Sequence, residues 1–440
     1  DRFGASVSLD NNRLAVGASH GDGNGGSNNS GEVYLYSTSG GGDSISSAVF
    51  ATNSSSNSTI TPTTITTALS AGTNVILQAN NDITVSNVIT AANGSGNGGN
   101  LTLQAGRSIL VNANITTDNG NLTLIANDLT ANGVVDAQRD SGTAVITLAS
   151  GTTMNTGTGV FTSTIRAGTG KTNRTSGDIT LSNVTAGSLV ATNSGPTSGS
   201  DILDNGVLTI AGTSSFTTSV SNADITLNSA NALTGAVTLN TTGSSGNATI
   251  DNGTTALNIA QSSVGGNLAL TSGHASGITD SGTVTVGGNL TATTDANNGV
   301  IILGTLAVNG TVALTTNGSG NAAIDNGTTA LIIAQSSVGG ELHLRSGHAS
   351  GITDSGTVTV GGNFSATTDA NSGVINLGTL AVDGTVALTT NGSGNATVVN
   401  DAGLNFAAST VGGNLLATAT TGNITDSGAL AITGTSSFTT

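Results

Sequence analysis

The sequence predicts an all-β fold, a right-handed parallel β-solenoid (β-helix) of about 15 coils, preceded by a separate short β unit. Three observations predict this fold. The composition suits strands and turns, short segments of alternating apolar and polar residues recur, and a longer repeat contains several of these segments.

The composition is that of a chain with many strands and turns. Its 440 residues include 65 glycines and only two prolines, Pro62 and Pro196, while 7% are charged and 2% aromatic. An ordinary globular domain has about 25% charged residues. Disordered chains are rich in charge and Pro, whereas this chain is rich in Val, Ile and Thr, which suit a pleated surface. We therefore expect β-structure rather than disorder.

The charge excludes two classes of partner. The net charge is −16, and only Arg345 among the eight basic residues follows Arg174. Nucleic acids and anionic membrane surfaces both require clustered Lys and Arg, so we expect neither as a partner. The chain has no Cys, which excludes disulfides and thiolate metal sites. No apolar run is long enough to span a membrane.

A long repeat organises the second half of the chain. Asp251–Gly266 recurs almost unchanged as Asp325–Gly340, and Ser272–Gly288 recurs as Ser346–Gly362, with the same offset in both cases. We call this unit the 74-residue repeat. The sequence therefore predicts an array of equivalent structural units.

Shorter units lie inside the long repeat, about three to each copy. The pattern V-x-G starts at Val264, Val286 and Val308, and looser versions begin at Asn74 and Asn100. Apolar and polar residues alternate after each start, as in half-buried strands. A unit this short cannot bury a core alone and must stack on its neighbours. We expect Val, Ile and Leu inside, Thr, Ser and Asn outside, and Gly and Asn at the corners.

The chain divides into four expected regions. These are a short β unit at 1–38, a Gly/Ser/Thr-rich linker or cap at 39–70, irregular solenoid coils at 71–200, and the array with the 74-residue repeat at 201–440. No segment shows the 3.6-residue periodicity of a capped helix. Because the sequence starts without Met and stops within a repeat, we expect a fragment or a processed product.

Residues 74–173 resemble the filamentous-haemagglutinin-like exoproteins of bacteria. The segments that carry the resemblance are NVILQANNDITV, GGNLTLQAGRSILVNANITT, DNGNLTLIAND and SGTAVITLASGTTMN. The resemblance implies a secreted, β-helical and commonly adhesive protein at the cell surface or outside the cell. These segments form a coil pattern rather than a site, so they specify fold better than function.

The first 36 residues resemble one FG-GAP repeat, the blade unit of integrin-α-type propellers. The matching residues are Phe3, Gly4, Ser6, Val7, Leu14–Ala18 and Gly31–Tyr36. A propeller needs several blades, and the sequence contains one partial blade. Further blades upstream or a role as a cap would both account for this.

The FG-GAP resemblance implies calcium as a candidate cofactor. Blades of this family often bind calcium in an Asp/Asn-rich loop, which here is His20–Ser30 with Asp22 as its one carboxylate. Calcium prefers several carboxylates, so this is a poor ligand set. Asp22 is the one candidate metal ligand, and we expect no other cofactor.

Recurrent polar residues have simpler structural interpretations than catalysis. His274 and His348 occupy equivalent repeat positions and are expected as loop residues, and His343 near His348 lacks a metal-ligand pattern. Aspartates recurring about three coils, or roughly 14 Å, apart are too distant for shared chemistry and are expected to accept backbone N–H bonds in turns. These are Asp204, Asp280, Asp354 and Asp426, and the pairs Asp251 with Asp325 and Asp295 with Asp369 are interpreted in the same way.

Two further features bear on function. Asp136, Arg139 and Asp140 form the one compact charged cluster in the sequence, which we interpret as a loop ion pair rather than the paired carboxylates of a glycosidase. Asn residues at equivalent positions are expected to stack in a side-chain ladder. These are Asn267, Asn289, Asn363 and Asn414.

These observations favour a structural, adhesive stalk or filament rather than an enzyme. Self-association through open solenoid ends and a cell-surface or glycan receptor are the expected partners. Two alternatives stay open, a calcium-dependent ligand-binding module centred on the FG-GAP-like unit and a carbohydrate-active β-helix enzyme. A calcium-dependent shift in melting would favour the first, and a cleft with two carboxylates within about 10 Å the second.

Overall fold

In the computed structural model, the chain forms two units, residues 1–235 and 236–440. The backbone is described in strands at 2–10, 13–19 and 32–36, and the structure further describes residues 50, 60–295, 298–369 and 372–440.

Unit 1 begins with a three-stranded antiparallel sheet. Its strands are β1 (Arg2–Asp10), β2 (Arg13–Ser19) and β3 (Glu32–Tyr36), in the order β1-β2-β3. In the register, Val7 lies opposite Val16, which lies opposite Tyr34.

A nine-residue helix, α1 (Pro62–Ser70), packs on the first solenoid coil. Pro62 lies at the start of the helix, where its missing N–H is not needed. Ile65, Ala68 and Leu69 are buried, and the Leu69 carbonyl accepts the Gly99 N–H at 2.8 Å. The sequence-based expectation that the chain contains no helix is therefore wrong in this segment. Three apolar residues in nine are too few to reveal a helical period among Thr residues.

The rest of unit 1 is a solenoid of six coils with three parallel sheets, one strand per sheet in each coil. The first sheet contains β4 (Val75–Ala79), β7 (Leu101–Ala105), β10 (Leu122–Ala126), β13 (Val160–Ile165), β16 (Ser188–Asn193) and β19 (Ser214–Ser221). The second contains β5 (Ile83–Val85), β8 (Ile109–Val111), β11 (Ala144–Leu148), β14 (Ser176–Leu181), β17 (Ile202–Asp204) and β20 (Ile225–Leu227). The third contains β6 (Ile89–Thr90), β9 (Ile115–Thr116), β12 (Thr153–Asn155), β15 (Asn183–Ala186), β18 (Leu208–Ile210) and β21 (Ala232–Leu233).

Two long connections leave this solenoid and lie beside it. One joins β10 to β11 and contains the 3-10 turns η1 (Thr130–Asn132) and η2 (Asp136–Gln138), and the other joins β13 to β14. The strands next to these connections stay in register, since Leu101, Leu122 and Phe161 are stacked and fully buried.

Unit 2 is a solenoid of ten coils with two parallel sheets. Sheet I contains β22 (Val237–Thr242), β24 (Leu257–Ile259), β25 (Ser262–Val264), β27 (Ile278–Asp280), β28 (Val284–Val286), β30 (Ile301–Leu303), β31 (Leu306–Val308), β33 (Ala322–Asp325), β36 (Leu342–Ser346), β39 (Phe364–Thr368), β41 (Thr385–Thr389), β43 (Leu404–Phe406), β44 (Ser409–Val411), β46 (Ile424–Asp426) and β47 (Leu430–Ile432).

Sheet II lies on the other side of each coil. It contains β23 (Ala248–Asp251), β26 (Leu268–Ser272), β29 (Leu290–Thr294), β32 (Thr311–Thr315), β34 (Leu331–Ile333), β35 (Ser336–Val338), β37 (Ile352–Asp354), β38 (Val358–Val360), β40 (Ile375–Val382), β42 (Ala396–Asn400), β45 (Leu415–Ala419) and β48 (Ser436–Thr439). The two units together contain about 16 coils, so the prediction of a parallel β-solenoid with about 15 coils is confirmed.

The 74-residue repeat spans three and a half coils of unit 2 rather than three. Asp280 ends β27 in sheet I, whereas its equivalent Asp354 ends β37 in sheet II, and Asp426 ends β46 in sheet I again. The spacing of three coils expected from the sequence is therefore wrong. Because each repeat contains an odd number of half-coils, successive copies place the same motif on opposite sheets.

Asparagine side chains tie each coil to the next. The Asn267 side-chain oxygen accepts the Asn289 N–H at 2.8 Å, and that of Asn289 accepts the Thr311 N–H at 2.9 Å. The predicted Asn stack thus exists, but it bonds side chain to backbone rather than side chain to side chain. Glycine precedes the Asn because a Cβ at Gly288 would overlap the Asn267 oxygen. The same bond is made by Asn363 to Thr385 and by Asn414 to Thr435.

Candidate functional site

Strand β36 carries charged side chains on its outward side. Leu342 and Leu344 point inward and are buried, while His343 and Arg345 alternate with them and are exposed. This follows from the two-residue period of a strand. We call the outward group the charged face of sheet I. It consists of Glu341, His343, Arg345, Asp325, Ser365 and Asp369.

The side chains of the charged face contact one another across three adjacent strands. His343 Nδ1 lies 2.6 Å from Ser365 Oγ, and His343 Nε2 lies 3.5 Å from a Glu341 carboxylate oxygen. Arg345 donates to Asp369 at 2.8 Å, and its Nε lies 3.6 Å from Asp325. The hydrogen bond to Asp369 and the charge of Asp325 raise the pKa of the Arg345 guanidinium. The group therefore presents hydrogen-bond donors and acceptors side by side.

A shallow cavity of about 300 Å³ lies over this face. It arises because the small residues Gly304 and Ala323 lie between larger neighbours in adjacent coils. Ala323 lies directly opposite His343 in the register, and the Ile302 side chain beside it is 49% exposed. The lining is completed by Ile324, Asp325, His343, Leu344, Arg345, Ser365 and Thr367.

The sequence differences between the two repeat copies are concentrated at the charged face. Residues 248–321 and 322–395 differ at ten of 74 positions. Half of the changed positions in the second copy belong to the charged face or line its cavity, so the differences cluster in space although they are scattered in sequence. The five changes are Thr249 to Ala323, Asn267 to Glu341, Ala269 to His343, Thr271 to Arg345 and Thr291 to Ser365.

Sequence reasoning misses this group, because it relates His343 only to His348 and assigns no role to Ser365. The structure pairs His343 with Ser365 and Glu341, whereas His348 Nδ1 accepts the Ser350 N–H at 3.0 Å within its own turn. His274 makes the same turn bond to Ser276, as predicted for a loop residue. The signal that could have found the site was the set of charged substitutions in an otherwise constant repeat.

The recurrent aspartates bond to the backbone of the next coil. Asp280 accepts the N–H groups of Gly304 and Thr305 at 3.0 and 2.8 Å, and Asp354 accepts those of Gly378 and Thr379 at 3.0 and 2.7 Å. The predicted role as backbone acceptors is therefore confirmed for this pair. Asp204 bonds in the same way to Asn228 and Ser229.

Asp251 and Asp325 make the same bond within their turns but differ in their contacts with the next strand. Each accepts the N–H of the glycine two residues later, Gly253 at 2.8 Å and Gly327 at 2.9 Å. Only Asp325 has Arg345 across the next strand, because the first copy carries Thr271 there. One turn aspartate has thereby become part of the charged face.

The cluster of Asp136, Arg139 and Asp140 makes contacts other than the predicted ion pair. Arg139 is 6% exposed and donates to the backbone carbonyls of Gly106, Asp140 and Gly142 at 2.9 to 3.2 Å. The Asp136 carboxylate instead accepts the Thr172 N–H and hydroxyl. The loop ion pair expected from the sequence is therefore replaced by hydrogen bonds to backbone groups and to the uncharged side chains of Thr172 and Asn81.

Lys171 of the second long connection and Arg139 of the first meet at the Gly106 carbonyl in unit 1. Its ammonium nitrogen donates to the Gly106 carbonyl at 2.6 Å and to the Asn127 side-chain oxygen at 3.0 Å. Burial, and then the charge of Arg139, lower the pKa of Lys171 to about 7. Burial likewise lowers the pKa of Arg139. We call Arg139 and Lys171, with Gly106 and Asn127, the buried charge cluster.

The described part of the chain contains neither a group of metal-binding side chains nor a helix that could span a membrane. No group of three His, Asp or Glu side chains there is arranged to hold a metal ion. None of the helices at the described residues is long and apolar enough to cross a membrane. Asp22, the candidate calcium ligand, lies outside the described residues.

Comparison with known families identifies two kinds of repeat. Residues 1–36 match the FG-GAP repeat, which confirms that part of the resemblance. Residues 167–240, 245–303 and 393–440 match a family described as repeats of unknown function (DUF5649). No curated protein and no solved structure matches the chain. The chain is a repetitive β-solenoid with an FG-GAP-like repeat, and its likeness to haemagglutinin-like exoproteins stays a prediction.

Proposed function

We propose that the chain is a structural part of a bacterial extracellular or cell-surface protein and has an adhesive role. The supporting observation is that the inward and outward positions of the strands differ in how much they change between the repeat copies. Inward residues are constant between repeat copies, apart from Leu290, which is Phe364 in the second copy. Five of the outward changes cluster on one face. A repeat solenoid of this kind presents variable side chains on a constant support.

Surface labelling of intact cells tests the location. Antibodies against the purified chain should label intact cells of the source organism, or detect the chain in its culture medium, and proteases added outside the cells should remove the label. Labelling that requires permeabilised cells would contradict the proposal.

The absence of catalysis is part of the proposal. Ser365, His343 and Glu341 are ordered as a nucleophile, a base and an orienting carboxylate would be. However, β36 pairs with β33 and β39 along its length, so its backbone N–H groups are engaged in the ladder rather than directed at an oxyanion. The side chains of His343 and Glu341 are also 53% and 43% exposed, where water weakens the interaction. Asp325 and Asp369 are bridged by Arg345 instead of flanking an open cleft.

Self-association stays a proposal, but the structure restricts which coils could pair. The sequence-based expectation required open coils at both ends. Helix α1 packs on the first coil of unit 1, where Val75 is fully buried. We therefore expect no pairing of strand edges through that coil.

The match of residues 1–36 to the FG-GAP repeat favours a second function, a calcium-dependent ligand-binding module. Calcium at millimolar concentration should then raise the melting temperature of the chain, and Asp22→Asn should abolish the increase. Equal melting with calcium, magnesium and chelator would reject this function.

A further inference from the structure

We propose that the charged face of sheet I binds a neutral sugar unit of a glycan. The inference rests on the proposed function, because it names the ligand class of the adhesive surface. The hydrogen-bonding groups, the charge, the cavity and the difference between the repeat copies support it.

The hydrogen-bonding groups match those of a sugar. Each sugar hydroxyl both donates and accepts, so a site needs both kinds of partner within a few ångströms of each other. Arg345 is a planar donor with carboxylate acceptors on two sides, Asp325 and Asp369. His343 and Ser365 each donate and accept, and their side chains are 2.6 Å apart. Planar groups of this kind can contact neighbouring hydroxyls in pairs.

The charge of the face disfavours an anionic ligand. The carboxylates of Glu341, Asp325 and Asp369 outnumber the single guanidinium of Arg345, and the whole chain is also acidic. An acidic sugar, a phosphate or a sulfate would be repelled by this excess. Hydroxyl groups carry no charge and meet no such repulsion.

The shape of the cavity suits one ring. Its volume of about 300 Å³ is at the lower limit for ligand pockets. Ile302 and Ala323 supply an apolar area beside the polar groups. A sugar ring has the same division, because its C–H groups form an apolar patch between its hydroxyls. The cavity lies on an open strand face, so a longer glycan can continue past it.

The two repeat copies provide the control for this site. The first copy has Asn267, Ala269 and Thr271 where the second has Glu341, His343 and Arg345. In both copies the inward residues of the strand are buried leucines. The triple variant Glu341→Asn/His343→Ala/Arg345→Thr therefore restores residues that this chain already accommodates in an equivalent strand.

Saturation-transfer NMR on the whole purified chain tests the proposal. The probes are the methyl glycosides of glucose, galactose, mannose and N-acetylglucosamine, with N-acetylneuraminic acid as an acidic probe and N-acetyl-lysine methylamide as a cationic one. We expect transfer to at least one neutral glycoside and none to the acidic sugar. Affinity should fall at least tenfold in the triple variant and stay unchanged in the control variant Thr271→Ala of the first copy.

Three outcomes would overturn the proposal. These are no transfer to any neutral glycoside, equal transfer in the triple variant, and transfer to the lysine derivative alone, which would identify an amine or peptide site. Circular dichroism of the triple variant should match the parent chain, which separates loss of the site from loss of fold. Because glycoside binding is measured on purified protein, its failure is independent of the result of cell-surface labelling.

Discussion

Among the described residues, two groups of charged side chains, one in each unit, differ in their exposure to solvent and in their partners. In unit 1, Arg139 and Lys171 are each 6% exposed, and both donate to the backbone carbonyl of Gly106. In unit 2, the Arg345 side chain is 54% exposed and pairs with two carboxylates. The buried charge cluster joins two long connections to the solenoid, whereas the charged face is open to solvent.

The difference shows how burial decides the role of a charge. A buried cation loses its hydration and must be compensated by nearby acceptors, so its removal disturbs the fold. An exposed ion pair contributes about 0–1 kcal/mol to stability, so its residues can change without affecting the fold. The expected effects on stability therefore decrease from buried to exposed charges.

The largest effect is expected from the titration of Lys171. Its pKa is about 7 in the folded chain and 10.5 as the ordinary value, so between these values the folded state binds fewer protons than the unfolded state. Stability should therefore rise as the pH increases from about 7 to about 10.5, with a slope of at most about 1.4 kcal/mol per pH unit, which is the slope for one bound proton. Denaturant titrations from pH 6 to 10 measure this, and Lys171→Met should remove the increase. The same slope in the variant would show that Lys171 is not its source.

Arg139→Ala should destabilise unit 1 by about 3 kcal/mol. The change removes donors to the carbonyls of Gly106, Asp140 and Gly142 and leaves a gap beneath the connection. Hydrogen exchange measured by mass spectrometry should show faster exchange in the segment from residue 127 to 143, with unit 2 unchanged. Unaltered exchange there would mean that Arg139 does not hold the connection.

Asp354→Ala should lower the free energy of unfolding by about 1 kcal/mol, an intermediate effect. The carboxylate accepts the N–H groups of Gly378 and Thr379 in the next coil. The matched variant Asp280→Ala should give the same loss, because Asp280 makes the equivalent bonds in the other sheet. Denaturant unfolding measures both. A clear difference between the two variants would break the equivalence of the repeat copies.

Arg345→Thr should change stability by less than about 0.5 kcal/mol. The side chain is exposed, and the first copy carries Thr271 at the equivalent position. Thermal unfolding of the variant beside the parent chain measures the change. A loss as large as that of Arg139→Ala would show that the charged face is part of the framework.

Several sequence-based expectations were correct for a local reason. The alternation of apolar and polar residues in β26 and β36 is visible in the letters, because neighbouring side chains of a strand point to opposite sides. The backbone-accepting role of Asp280 and Asp354 was also predictable, since Asp favours such bonds at turns. Helix α1 was missed because its short apolar pattern lies in a segment rich in Thr.

By itself, the amino-acid sequence determined the class of fold, the stacking of short units and the identity of the inward residues. Periodicity and composition act within a few residues and are legible without coordinates. Only the tertiary structure decided that the long repeat makes three and a half coils, which places equivalent motifs on opposite sheets. It also decided that Ala323, His343 and Ser365, which are far apart in sequence, are direct neighbours. The physical reason is that the length of each coil, set by its turns, determines which residues of adjacent coils meet.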